Sequence, residues 1–191
     1  MASPPLILAS ASPRRQELLA RLGLTPTGII AADIDESVRK GELPRAYARR
    51  VAMGKAIAVS APDAFVLSGD TVVACGRRIL PKAEDEATAR QCLSLLSGRR
   101  HRVLSAVCLK HPDGTVGERL SETIVAFKRL SANELDAYIA GGEWRGKAGG
   151  YAIQGSAEGL IKWISGSHSG VMGLPLYETR ALLAAAGFAL A

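Results

Sequence analysis

The segment Leu6-Ile-Leu-Ala-Ser10-Ala-Ser12-Pro-Arg14-Arg15 sets two hydroxyls and two guanidinium groups between a short apolar run and a helical one, Gln16 to Leu22. Ser12 suits an N-cap and Pro13 the first helical position. Arg14 and Arg15 then project from a helix N-terminus, where backbone N–H groups lack intrahelical partners and the dipole is positive. Such a place can hold a polyphosphate. Basic residues in a first turn oppose the dipole, so helix stability does not account for them. Asp70 is the complementary feature, between the apolar run Ala64-Phe-Val-Leu67 and Thr71-Val-Val73. A carboxylate at the C-terminal end of a strand is where α/β sheets place ligand groups. The alternative is an Asp turn residue.

The acidic loop Asp33-Ile-Asp35-Glu36 offers further carboxylates, and is solvated unless the fold ties it to Asp70. Two or three carboxylates with open water positions suit Mg²⁺ or Mn²⁺ on phosphate oxygens. Lys55 is out of pattern. In a helix over 44–60 the apolar face runs through Ala48, Val51, Ala52 and Val59, and Lys55 stands four residues from both valines. It falls on that face, either snorkelling or aiming an ammonium into an anionic cleft. Lys82, after Pro81, says little alone. Gln154, in Gly149-Gly-Tyr151-Ala-Ile-Gln154-Gly155, can donate and accept and so suits reading a base edge; a glycine-rich turn is the alternative.

Several chemistries are set aside. Gly141-Gly-Glu-Trp-Arg-Gly146-Lys147-Ala148 comes near a P-loop, but Ala148 replaces the metal-binding hydroxyl and no strand precedes it. There is no G-x-G-x-x-G fingerprint, no G-x-S-x-G elbow, and no plausible Ser–His pair. Cys75, Cys92 and Cys108 are odd in number and widely spaced, which reads as buried reduced thiols rather than zinc or disulfides.

The elements that must position these groups read in order as strand 6–10, helix 13–22, strand 27–32, a loop to Gly41, and helix 44–60. Strand 64–68, a turn at Gly69-Asp70, strand 71–75 and helix 84–96 follow. Strands 101–110 and 116–128 flank a turn at His111–Thr115, and Ser131-Ala-Asn-Glu134 is a capping box opening a helix to Ala140. A Gly-rich segment to Gly159, strand 159–165 and helix 174–187 complete the order. The class is α/β, with a mixed, partly antiparallel sheet flanked by helices. The length of 191 residues fits one domain over 1–191, with two lobes. The net charge of +6 makes anionic partners plausible, but the arginine pairs are dispersed and aromatics are only 5%, which disfavours a nucleic-acid binder. No signal-peptide n-region precedes Leu6, and the apolar tail from Ala181 is too short to span a bilayer. A cytoplasmic protein without a membrane partner is expected.

Together the pieces resemble the Maf family of nucleoside triphosphate pyrophosphatases. The matching residues are Ser10-Ala-Ser12-Pro-Arg14-Arg15, Asp35-Glu36, Arg50-Val-Ala-Met-Gly-Lys55-Ala and Gly69-Asp70-Thr71-Val-Val73. Leu96-Ser-Gly98…His101, Lys147-Ala-Gly-Gly-Tyr151-Ala-Ile-Gln154-Gly155 and Gly173-Leu-Pro-Leu176 continue the set, in order over nearly the whole chain. The resemblance implies a two-lobed, ITPase-like α/β fold around a central cleft, usually a homodimer. It implies hydrolysis of a nucleoside triphosphate to the monophosphate and pyrophosphate with a divalent metal. Asp70 would be the proton acceptor and, with Glu36, a metal or water partner. Ser10, Arg14, Arg15, Lys55 and Lys82 would hold the triphosphate, Lys55 and Lys82 also serving catalysis. The pattern resembles the dTTP and UTP branch rather than the 7-methyl-GTP branch, and by that match Arg14, Thr71 and Gln154 set specificity. A non-catalytic nucleotide-binding regulator of cell division would use the same cleft without turnover. Two departures stand out: Pro81-Lys82-Ala83 replaces Gly-Lys-Pro, so proline restricts the backbone that aims Lys82, and Gly69 replaces a common alanine, a change expected to be harmless.

Overall fold

The structure, a computed structural model, describes residues 5–190; the ends of the expected 1–191 unit, residues 1–4 and 191, lie outside the described residues. Strands are β1 (Leu6–Leu8), β2 (Gly28–Ile29), β3 (Phe65–Cys75), β4 (Arg78–Leu80), β5 (Lys82–Ala83), β6 (Arg100–Lys110), β7 (Val116–Phe127), β8 (Lys147–Ala148) and β9 (Ile161–Ser165). Helices are α1 (Pro13–Ala20), α2 (Pro44–Ala58), α3 (Glu86–Leu96), α4 (Ala132–Gly141), α5 (His168–Met172) and α6 (Leu176–Ala185), with a 3₁₀ turn at Ser156–Leu160.

The main sheet runs β2-β1-β3-β6-β7-β9, with β4 also on β3, and β5 and β8 form a separate pair. β1 lies parallel to β2 and β3; the other pairings are antiparallel. The expected mixed, partly antiparallel sheet is therefore present, and the long pair β6–β7 is the expected antiparallel one.

The alanine stripe of α2 lies on one face. Ala48, Ala52 and Ala56 pack on Val72, Ala74, Leu104, Ala106 and Cys108. Their small side chains let the helix lie close to the sheet. The other face carries the larger core, where Leu18, Leu93, Leu96 and Leu183 pack with Val73, Val107 and Phe127. Helices thus flank both faces. The three cysteines are free thiols.

One correction changes how the site is built. The expected turn at Gly69-Asp70 is absent, and β3 continues through both residues, opposite Val107 and Ala106 of β6. Glycine and aspartate are poor strand formers, but ladder pairing to a long neighbour overrides local preference. On its other edge β3 is paired by β1 only at Phe65–Leu67 and by β4 only at Val73–Cys75. Ser68 to Val72 therefore form an open notch in the sheet, where β1 has ended and the chain turns away into α1. The expected strand 6–10 shortens to Leu6–Leu8 for that reason, and 27–32 shortens to Gly28–Ile29. The expected strand 159–165 loses its first two residues to the 3₁₀ turn. The helix expected at 174–187 shortens to α6, with Pro175 as its N-cap, and α5 precedes it as a short helix that was not expected. The capping box at Ser131 and Glu134 is formed on both sides.

His101, on β6, is buried beside Tyr151 and Phe127. Its Nε2 lies 2.8 Å from the Tyr151 hydroxyl, while Nδ1 has no partner. Burial lowers its pKa to about 4. A histidine depressed in the folded state stabilises fully above its unfolded value, near 6.5, and loses that contribution as pH falls toward 4. We expect unfolding free energy to drop by roughly 3 kcal/mol from this residue between those limits. Denaturant melts of His101→Gln at several pH values should show a flatter acid limb than the wild type; an identical limb would remove His101 as its source.

Candidate active site

The notch exposes both faces of β3 to one cavity. Side chains alternate along a strand, so Asp70 faces α2 while Thr71 faces away, yet both line a cleft of about 400 Å³. The rest of its wall comes from the start of α1 (Arg14, Arg15), from β5 and β8 (Lys82, Lys147, Ala148) and from the end of α5 (Met172, Gly173). A smaller adjoining cavity, about 230 Å³, is lined by Ser10, Arg15, Glu36, Lys55 and Lys82. Arg15, Lys55 and Lys82 belong to both walls.

Lys55 stands at the centre. Its place on the apolar face of α2 makes it 8% exposed, beside Asp70 at 5%. Its Nζ lies 3.1 Å from Asp70 Oδ1 and 2.9 Å from Glu36 Oε1. The acidic loop is thereby tied to Asp70 through an ammonium. The backbone of that loop is held by α2: Tyr47 donates to the Glu36 carbonyl at 2.9 Å and Arg50 to the Ser37 carbonyl at 2.9 Å. Asp35 instead accepts from the Ser37 N–H, and so shapes the loop rather than the cleft. Burial tends to raise the Glu36 carboxyl, but the Lys55 hydrogen bond and charge, with Lys82 and Arg15, bring it below its ordinary value.

Ser12 is the N-cap of α1 by position, but its side chain makes no capping bond. Arg15 does not point freely into solvent. Its Nη1 donates to Ser10 Oγ at 2.9 Å and its Nε to the Gly173 carbonyl at 2.9 Å. Burial lowers its pKa, against the charges of Asp70 and Glu36. Gly69 gives it room: a Cβ there would lie 3.5 Å from Arg15 Nε and 3.1 Å from the Ala106 carbonyl oxygen. An alanine would fit after a shift of a few tenths of an ångström. Lys82 reaches the site despite Pro81, with Nζ 3.7 Å from Glu36 Oε2. The Thr71 hydroxyl is paired with Ser105 Oγ at 2.6 Å.

Gln154 is the exception among the expected site residues. It is exposed and does not line the cleft, because the turn at Gly149 and Gly150 directs Tyr151 inward and the chain leaves the wall before Gln154. Gly149 has φ +68°, and a Cβ there would sit 2.8 Å from Val73 Cγ1, so only glycine lets this turn close on β3. Sequence reasoning did not single out Lys147, Tyr151 and Met172 as lining residues. For Lys147 the signal was present in the Gly-Lys pair of the rejected P-loop. Met172 has no comparable mark.

Asp70 and Glu36 fit a divalent cation by donor chemistry. Both offer hard oxygens to one point, now taken by the ammonium. Among the described residues no group of three or more His, Cys, Asp or Glu converges. Protein ligands would therefore number two, with phosphate oxygens and water completing the shell, as Mg²⁺ commonly accepts.

A basic cleft with paired carboxylates at its floor, opened at a notch in a mixed sheet, defines an α/β protein built for a polyanionic ligand. The chain belongs to the Maf family: the family described as Maf-like protein matches residues 5–186. It is 70% identical over 187 residues, 97% of this chain and 93% of the relative, to a Novosphingobium aromaticivorans protein named dTTP/UTP pyrophosphatase. A Rhodospirillum rubrum protein of the same name is 61% identical over 188 residues, 97% of this chain and 90% of that one. Among solved structures, a HAM1 protein from Coxiella burnetii aligns with TM-score 0.51 at 13% identity, over 97% of this chain and 100% of that one. That likeness concerns the fold.

Removing the ammonium should leave the buried Asp70 carboxylate and the part-buried Glu36 with no cation between them. We expect Lys55→Met to lower unfolding free energy by roughly 3 kcal/mol. Adding Asp70→Asn to it should restore most of the loss in urea melts; strictly additive effects would show the two groups to be uncoupled.

Proposed function

We propose that this protein hydrolyses UTP and dTTP between the α- and β-phosphates, releasing pyrophosphate and the nucleoside monophosphate. The observation that carries the reading is the Lys55 ammonium joining Asp70 to Glu36 at the junction of the two cavities. The high identity to proteins named dTTP/UTP pyrophosphatase supports the substrate class.

The smaller cavity, walled by Ser10, Arg15, Lys55 and Lys82, suits the β- and γ-phosphates, and the larger one the nucleoside. Asp70 would accept the proton of the attacking water, with Lys55 fixing the carboxylate through Oδ1. Water oxygen bonds to the α-phosphorus as the bond to the bridging oxygen breaks, and pyrophosphate leaves with that electron pair. Arg15 and Lys82 would stabilise the charge that grows on it, Ser10 holding Arg15 in place. A fixed water and an in-line leaving group supply further rate. Arg14 and Thr71 would meet the nucleoside side. Gln154 would act on the base only if the 149–155 turn moved inward. A Mg²⁺ or Mn²⁺ ion held by Asp70 and Glu36 would neutralise phosphate charge.

The surface charge supports a small polyanion over nucleic acid. Arg45, Arg49, Arg50 and Arg90 are each paired with a carboxylate, which breaks up a continuous basic face. No helix among the described residues is long and apolar enough to cross a membrane. A homodimer in the cytoplasm stays part of this reading.

With UTP, Asp70→Asn should cut turnover by about a hundredfold or more. A pyrophosphate assay reads this directly, and near-wild-type turnover would remove Asp70 from the mechanism. Chelation by EDTA should abolish pyrophosphate release, and added Mg²⁺ or Mn²⁺ should restore it. Full activity in EDTA would sink the metal assignment, and tight UTP binding without any turnover would favour the regulator instead.

A further inference from the structure

The cations that line the cleft differ in charge balance. Lys55 and Lys82 both meet carboxylates. Arg14 and Lys147 line it too, and among the described residues neither forms an ion pair. Lys147 is half-buried on β8, next to β5. Its Nζ donates to the Arg145 carbonyl at 2.9 Å, which leaves two N–H donors. Burial and the charge of Arg14 lower its pKa, with Glu143 acting against them. A half-buried cation repelled by Arg14, with two donors unused and no carboxylate in ion-pair contact, is a donor awaiting an acceptor.

The surroundings indicate which acceptor. Lys147 lines the larger cavity and not the smaller one. That wall carries Arg14, Arg15, Lys55 and Lys82, which suit phosphates, and an apolar set, Val73, Tyr151, Val171 and Met172, which suits a base and sugar.

We infer that Lys147 is a specificity-determining residue that donates to the 4-oxo group of the pyrimidine, and thereby selects UTP and dTTP against CTP. The inference rests on the proposed hydrolysis of these triphosphates. Uracil and thymine share an acceptor at position 4, where cytosine carries an amino donor. An ammonium has donors only, so it meets O4 with a hydrogen bond and N4 with a like-polarity clash. The fixed positive charge also opposes a cationic base such as 7-methylguanine.

The test compares wild type, Lys147→Met and Lys147→Arg on UTP, dTTP and CTP by pyrophosphate release. Lys147→Met should raise KM for UTP and dTTP about tenfold or more, the scale of a lost charged hydrogen bond, with kcat nearly kept. CTP should be unaffected or improved, so the UTP-to-CTP ratio of kcat/KM collapses. Lys147→Arg keeps the charge and donors and should retain most of the ratio. An equal loss on all three substrates would make Lys147 a phosphate ligand and overturn the inference, as would no loss on any. Calorimetric binding of α,β-imido UTP and α,β-imido CTP to the same three proteins gives the ratio without turnover. A wild type that binds the UTP analogue and releases no pyrophosphate would defeat the parent reading alone. Equal affinities of the wild type for the two analogues would defeat this one alone.

Discussion

A buried lysine ammonium held between two carboxylates is the constraint on which the cleft depends. Lys55 comes from α2, Asp70 from β3 and Glu36 from a loop, and the two buried members, Lys55 and Asp70, each need the other. A lone ammonium on the apolar face of a helix bears a desolvation cost of several kcal/mol. A lone aspartate inside a sheet bears a similar one. Each cost is offset only when α2 lies close enough for the charges to meet, and the alanines at 48, 52 and 56 allow that approach. Packing and electrostatics are thus one requirement.

The second constraint is the notch in β3. A strand paired on both edges buries its backbone and leaves only one face at a time for ligands. Here pairing on one edge ends at Leu67 and resumes at Val73. Residues of opposite faces can then look into one cavity, which is why Asp70 and Thr71 line it together. Ligands in open α/β sheets sit where strands diverge, and here the divergence of β1 into α1 also delivers the arginines.

Much of this was legible in residue types. The Ser-Pro-Arg-Arg turn, the aspartate after an apolar run and the lysine out of phase on α2 each broke a local rule, and sites are where such breaks are expected. The long antiparallel pair and the α4 capping box followed from periodicity and spacing. The notch was not legible, because Gly69 and Asp70 carry turn propensity and only the register with β6 keeps them extended. β5 and β8 are two residues each, too short for any period, yet they bring Lys82 and Lys147 to the wall. Gln154 lies off the cleft for a related reason: its amide suits a base edge, but two left-handed glycines upstream decide where the chain goes.

Arg15 shows why the anion site is not separable from the rest of the fold. Its guanidinium joins Ser10 to the Gly173 carbonyl, which lies 158 residues along the chain from Arg15. A phosphate arriving at α1 would meet a donor whose direction is already fixed from both ends. That fixing removes rotamer entropy before binding, so less of the interaction is lost on association. It also ties Met172, one residue before that carbonyl, to the same strut. Arg15 lines both cavities, so one side chain couples the end of α5 to the turn that opens α1.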